Sequence, residues 1–235
     1  MHTMLVGQRS LATQRRGRHV SGSSAHPDRM APDLAVALIY DYTQPGDLAV
    51  DPFAGVGTTL AEAVRGGRDA YGVEYDPGWV ALARANLALA RRQSGIGHGQ
   101  IVRGDVTRLP AAPRRELRGR ASLVLTAPPS SATMPVSPRS SARHNRVDLM
   151  DGITAALEEC VPLLNPNGLI VVVSRSSRRT PVLLDAVAAD LSLLAVRHAA
   201  YATMRAGRLV AGRHHVDGIR YDDILVLRPR RGRRP

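Results

Sequence analysis

From residue 48 onward the chain alternates short apolar runs with stretches of helical period. Apolar runs near 48–51, 69–74, 100–103, 122–126 and 168–174 read as strands. Stretches near 32–42, 58–66, 77–93, 147–164 and 181–191 read as helices. Strand and helix in alternation predict an α/β fold, a mostly parallel, doubly wound sheet covered on both faces. Asn165-Pro166-Asn167-Gly168 reads as a turn by its residue types, ahead of the fifth strand. Past residue 194 the pattern changes. Residues 195–204 and 220–227 are joined by a Gly-rich basic loop with no helix signal, which predicts an antiparallel hairpin at the sheet edge.

Two segments stand outside this scheme. Residues 1–25, rich in Ser, Gly and Arg, read as disordered. Residues 130–146 read as one long loop, and a loop of this length in a compact domain is a functional lid or a disordered segment. The expected organisation is a basic N-terminal segment 1–25, one domain over 26–228 and a basic tail 229–235.

The nine residues Asp51 to Thr59, DPFAGVGTT, follow the strand Leu48-Ala49-Val50 and run into a helix. Gly55 and Gly57 remove side chains that would hold a ligand off the backbone, and Thr58 reads as the helix N-cap. The next strand ends in Glu74, where a carboxylate can accept both hydroxyls of a ribose. A dinucleotide fingerprint wants a third glycine, and that position is Leu60, which favours a cofactor without a pyrophosphate.

Charge and cysteine narrow the class. The chain has 32 basic residues, all Arg, against 20 acidic ones, a net charge of +12. Nine of the Arg lie in residues 1–25 and 228–235, a distribution that points to nucleic acid as partner. No apolar run reaches membrane-spanning length, so no membrane association is expected. Cys160 is the one cysteine, which excludes an internal disulfide and a Cys-rich zinc site, and no metal is expected. A reducing, cytoplasmic location follows. Its helical spacing with Ile153, Leu157 and Leu164 reads as a small buried hydrophobe.

The stretches HPDRM (26–30), APDLAVALIYDYTQPGD (31–47), LAVDPFAGVGTT (48–59) and AYGVEYDP (70–77) resemble the amino-directed DNA methyltransferases, which act on N4 of cytosine or N6 of adenine. The resemblance implies a Rossmann-like methyltransferase fold with S-adenosylmethionine as cofactor. By resemblance, His26, Pro27, Asp51, Pro52, Phe53, Ala54, Gly55, Gly57, Thr58 and Thr59 hold its methionine part. Glu74, followed by Tyr75, holds the ribose, and Asp105 accepts from the adenine amine. Asp76 and Trp79 lie near the pocket by position. Residues 221–227 are similar to the family's last strand.

The family's catalytic Pro-Pro motif falls on Ala127, Pro128, Pro129 and Ser130. Family members carry Asp, Asn or Ser before the prolines and an aromatic after them; here those positions are Ala127 and Ser130. The backbone acceptor on Pro128 survives. Losing the aimed side-chain hydrogen bond costs ~3–4 kcal/mol and losing the stacking ring ~1–3 kcal/mol, roughly a thousandfold to a hundred-thousandfold in rate. Three readings stay open: an acceptor from elsewhere, with Ser130, Ser131 or His144 nearest; another target, such as an RNA base or a small molecule; or binding without turnover. Arg139, Arg143 and Arg146 on one side and Arg175, Arg178 and Arg179 on the other are the candidate nucleic-acid contacts, DNA favoured over RNA. Sequence preference is left to loops or a protein partner.

Overall fold

The computed structural model describes residues 2–6, 11–28, 30–94, 96–109, 111–129, 142–174, 180–205, 208–211 and 220–230. The chain opens with β1 (His2–Val6) and α1 (Leu11–Arg15), then a single 3-10 turn at Ser23–Ala25. The alternating region runs α2 (Pro32–Tyr42), β2 (Leu48–Asp51), α3 (Thr58–Arg65), β3 (Asp69–Glu74), α4 (Pro77–Ser94), β4 (Gly99–Arg103) and α5 (Ala111–Leu117). It continues through β5 (Ala121–Thr126), α6 (Ala142–Cys160), β6 (Leu164–Ser174) and α7 (Thr180–Val187). It ends in β7 (Leu191–Arg205), β8 (Arg208–Ala211) and β9 (Arg220–Pro229).

The strand order is β1-β7-β9-β6-β5-β2-β3-β4, with β8 also paired to β7. β2 to β6 are mutually parallel, whereas β9 is antiparallel to both β6 and β7. Val50, Leu123, Val124, Leu125, Ile170, Val171 and Val172 are all buried, so the central strands are apolar on both faces and need a helical layer on each. One core packs them against α2, α3 and α4; the other packs them against α6 and α7. Because every crossover from β2 to β6 returns the chain to the same end, the loops after β2, β3, β4 and β5 meet at one sheet edge.

Several expectations are corrected. The first 25 residues are not a solvated tail over their described part: β1 pairs in parallel with β7, from His2↔Arg197 to Val6↔Tyr201, and Arg18 forms an ion pair with Glu62, whose side chain is fully buried. Asn165 to Gly168 belong to β6 instead of preceding it. They form a bulge, since β5 pairs Ala121 with Leu164 and then Leu123 with Leu169, and the Asn165 side chain accepts from the Asn167 amide within it. Residues 142–146 are helical and open α6, so they are not part of the preceding loop. The hairpin of β7 and β9 is present in antiparallel register. Cys160 is buried among apolar neighbours, and burial pushes its thiol up, out of reach of ionisation at neutral pH.

Leu60, the residue in the third-glycine position, explains its own presence. In a dinucleotide site that glycine lets the helix approach the sheet. Here the small residue is on the strand: a Cβ on Gly72 of β3 would lie 2.5 Å from Leu60 Cδ1 and 2.9 Å from Ala54 Cβ. Gly72→Ala is therefore expected to lose ~1–3 kcal/mol through overpacking. Adding Leu60→Ala should recover part of that loss, a coupling that urea denaturation of the single and double variants will measure.

Candidate cofactor and active site

The glycine turn is built by two different steric demands. Gly55 has φ +53°, and a Cβ there would meet the His26 ring at 3.1 Å. Gly57 has φ +77°, and its Cβ would press on Ala83 of α4 at 3.0 Å. The glycines thus admit protein as well as ligand to the turn. Gly57, in left-handed conformation, is the N-cap of α3, with Thr58 as its first helical residue; the assignment of Thr58 as cap shifts by one.

Between this turn and the segment before α2 lies a cavity of about 280 Å³. His26, Asp28 and Met30 form one wall, and Asp51, Phe53 to Val56, Thr58 and Thr59 the other; Ala127 closes it from the end of β5. Of the expected cofactor residues, the cavity gathers His26, Asp51, Phe53, Ala54, Gly55, Thr58 and Thr59. Pro27, Pro52, Gly57, Tyr75 and Asp105 are not among its lining residues, and Tyr75 is exposed. Asp105 caps the short turn Val106–Arg108, accepting from the Thr107 amide and hydroxyl. Ala127 lines the cavity, whereas Pro128 and Pro129, which follow it, do not. Ser130, Ser131, Arg139, Arg175, Arg178 and Arg179 lie outside the described residues, as do the side chains of Arg143, His144 and Arg146 on α6.

Glu74 does more than end its strand. One carboxylate oxygen accepts from the Gly55 amide at 2.9 Å and the other from the Asp76 amide at 2.8 Å. It thereby ties the glycine turn to the start of α4, and each oxygen keeps a lone pair for a further donor.

Asp51 is the buried acid of the site. It accepts from the Thr126 hydroxyl at 2.8 Å, from the Phe53 amide at 3.1 Å and from the Thr59 hydroxyl. Burial nevertheless outweighs these bonds and raises its pKa to about 6. The cavity therefore holds two carboxylates, Asp28 and Asp51, with Glu74 beside it. Three acids repel a pyrophosphate and suit a ligand that carries positive charge without phosphate. S-adenosylmethionine, with its sulfonium and ammonium, fits that donor set.

Sequence reasoning missed Asp28, Met30, Glu62 and Asn86. Asp28 and Met30 stand beside the quoted His-Pro pair and carry a local signal. Asn86 carries none, since its partners are Val20, Ser23 and Val56, each 30 or more positions away.

Comparison with known proteins agrees with this geometry. Residues 8–85 match the DNA methylase model of the N6/N4 methyltransferase family. That span contains both walls of the cavity except Ala127. The cofactor half of this chain is that of an N4/N6 DNA methyltransferase. Over 77 residues, a third of the chain (33%), it is 29% identical to the type II methyltransferase M.MjaII of Methanocaldococcus jannaschii, and it spans 14% of that protein's length. In fold, the methyltransferase is similar to the crystal structure of TrmN from Thermus thermophilus, with TM-score 0.58 and 22% identity over 92% of this chain and 53% of that one. It is equally similar to a SAM-dependent O-methyltransferase from Thermotoga maritima, with TM-score 0.60 and 13% identity over 96% of this chain and 74% of that one. The cofactor of this family and fold is S-adenosylmethionine. Among the described residues, no helix is long and apolar enough to cross a membrane.

The raised pKa of Asp51 makes a prediction about stability. Its folded value of about 6 exceeds the unfolded 3.8, so the folded state binds the extra proton. The stabilisation this provides is full below pH ~3.8 and lost as pH rises through 6. Asp51→Asn removes the titration and keeps an acceptor for Thr126. Relative to wild type, the variant should gain on the order of 3 kcal/mol between pH 4 and pH 7, read by thermal denaturation of both proteins across that range.

Proposed function

We propose that the protein transfers a methyl group from S-adenosylmethionine to nucleic acid, at an exocyclic amine of DNA. The observation that carries this reading is the composition of the cavity. The stretch that matches DNA methylases supplies two of its walls, and the third is Ala127, the first residue of Ala-Pro-Pro-Ser. When bound, the cofactor supplies a methyl group activated by a positively charged sulfur. The chain's own residues divide the remaining work. Asp28 and Asp51 provide the negative field that favours the cation, Glu74 takes the ribose hydroxyls on its remaining lone pairs, and the His26 ring covers Gly55. The Pro128 carbonyl accepts a hydrogen bond from the target amine, so that the nitrogen lone pair turns toward the methyl carbon. As the new N–C bond forms, the C–S bond breaks with its electron pair on sulfur, and the amine proton leaves along that hydrogen bond.

The target surface follows from topology. α6 packs against the Val106–Arg108 turn, so its first turns, with Arg143 and Arg146, stand at the crevice edge. We assign them, together with Arg139 and Arg175, Arg178 and Arg179, to the phosphates of the polymer. The C-terminal tail is placed differently. β9 runs antiparallel to β6, so the chain after Pro229 departs from the opposite edge of the sheet. Its Arg residues then contribute general attraction to a polyanion and do not reach over the crevice.

Incorporation of tritiated methyl from S-adenosylmethionine into pooled DNA, pooled RNA and a metabolite extract tests the target. Label in DNA is the expected result, and label confined to RNA or to a metabolite refutes it. Cofactor binding without label in any pool refutes the catalytic reading. Ala127→Asp restores a side-chain acceptor at the cavity wall and should raise DNA methylation at least tenfold.

Two variants examine the cofactor site by calorimetry. Glu74→Ala should weaken S-adenosylmethionine at least tenfold, as expected for the loss of charge-assisted hydrogen bonds. A bound cation favours the ionised form of Asp51, so binding expels its proton below pH 6. Wild-type affinity should therefore rise from pH 5 to pH 7, and Asp51→Asn should flatten that rise.

A further inference from the structure

The segment Arg18 to Met30, which supplies one wall of the cavity, is held to the body of the protein by two buried polar clusters. In the first, the Glu62 carboxylate, fully buried on α3, receives the guanidinium groups of Arg18 and Arg65, and Arg65 also donates to the Arg18 carbonyl at 2.6 Å. In the second, Asn86 on α4 accepts from the Val20 amide at 2.7 Å and donates to Ser23 Oγ at 3.0 Å and to the Val56 carbonyl at 2.8 Å. Val56 belongs to the glycine turn, so one side chain grips both walls of the cavity at once. His19 lies 3.3 Å from the Thr58 hydroxyl, and the His26 ring meets Trp79 edge-on at 4.8 Å.

The enclosed space, about 280 Å³, falls below the range in which drug-sized ligands are held, roughly 300–1,000 Å³. A cofactor the size of S-adenosylmethionine enters and leaves this site only if a wall moves. The glycine-turn wall is anchored to β2, β3 and β5 through Asp51 and Glu74. The other wall is a single extended strap whose polar attachments are confined to Arg18, Val20 and Ser23.

We infer that Glu62 and Asn86 are positioning residues for the cofactor: they latch the strap against the glycine turn, and release of the Arg18–Glu62–Arg65 cluster sets the rate at which cofactor and product exchange. A buried carboxylate shared by two guanidinium groups suits a latch. Breaking it exposes charges that water solvates well, so the open strap is accessible, while the closed one is sharply defined. The inference rests on the cofactor assignment and is independent of the methyl acceptor.

The chain has one tryptophan, and because Trp79 touches His26 of the strap, its fluorescence reports strap position. Stopped-flow release of S-adenosylhomocysteine should show Arg18→Met dissociating at least tenfold faster than wild type, with Glu62→Gln, which keeps the hydrogen bonds, closer to wild type. Methyl transfer at saturating cofactor should change less than twofold in Arg18→Met, while KM for S-adenosylmethionine rises. Leu157→Ala, a cavity in the core on the other face of the sheet, serves as a control of general destabilisation. Equal acceleration in that control overturns the inference. So does an Arg18→Met protein whose Trp79 signal shows an open strap but whose product release is unchanged. Ser23→Ala, which removes one Asn86 partner from a side chain tolerant of truncation, provides a second latch variant and should accelerate release in the same direction. Failure of wild type to bind S-adenosylmethionine or its product would instead refute the cofactor assignment.

Discussion

A carboxylate buried at the end of a central strand organises this molecule. Asp51 closes β2 and takes hydrogen bonds from β5 through Thr126, from its own turn through Phe53 and from α3 through Thr59. An acid so far from water is costly, and its raised pKa measures how incompletely the three donors compensate. The residual imbalance is what makes the cavity receptive to a cation. The same group that joins two strands and a helix also selects the charge of the ligand, which is why structure and cofactor choice cannot be altered separately at this position.

Around that acid, the cofactor half of the protein is over-determined. The turn is held by Glu74 on one side, by Asn86 on another and by the packing of Gly55 and Gly57 against His26 and Ala83. Helix α3 reaches the sheet because Gly72 makes room for Leu60, an arrangement that inverts the usual placement of the small residue. The family match ends at residue 85, within α4, and the half that faces the methyl acceptor follows no such pattern in its Pro-Pro motif. A half devoted to one invariant ligand and a half free to change its target are both served by a sheet whose loops converge on a single edge.

Much of this was legible before any coordinates. The five parallel strands and the helices between them follow from apolar runs and helical period, because a sheet covered on both faces demands strands that are apolar throughout. The glycine turn, Glu74 and the hairpin of β7 and β9 could be read because each depends on neighbours close in sequence. Where local chemistry misled, a distant partner had intervened. Asn165 to Gly168 have turn residues and do form a side-chain turn, yet pairing with β5 keeps them inside a strand as a bulge. Residues 1–25 have the composition of a disordered tail, but β1 finds β7 nearly two hundred positions away and Arg18 finds Glu62.

The sequence by itself determined the alternation of elements, the position of the phosphate-free nucleotide turn and the burial of Cys160, since period, glycine placement and apolar spacing act over a few residues. Tertiary structure alone decided that Glu74 would brace the turn it faces and that Asp28 would join Asp51 in one cavity. It also decided that Glu62 and Asn86 would hold the strap closed. Those outcomes depend on which buried polar groups meet after the chain has packed. A buried donor or acceptor must find its partner wherever the fold provides one, and nothing in the spacing of residues along the chain specifies that meeting.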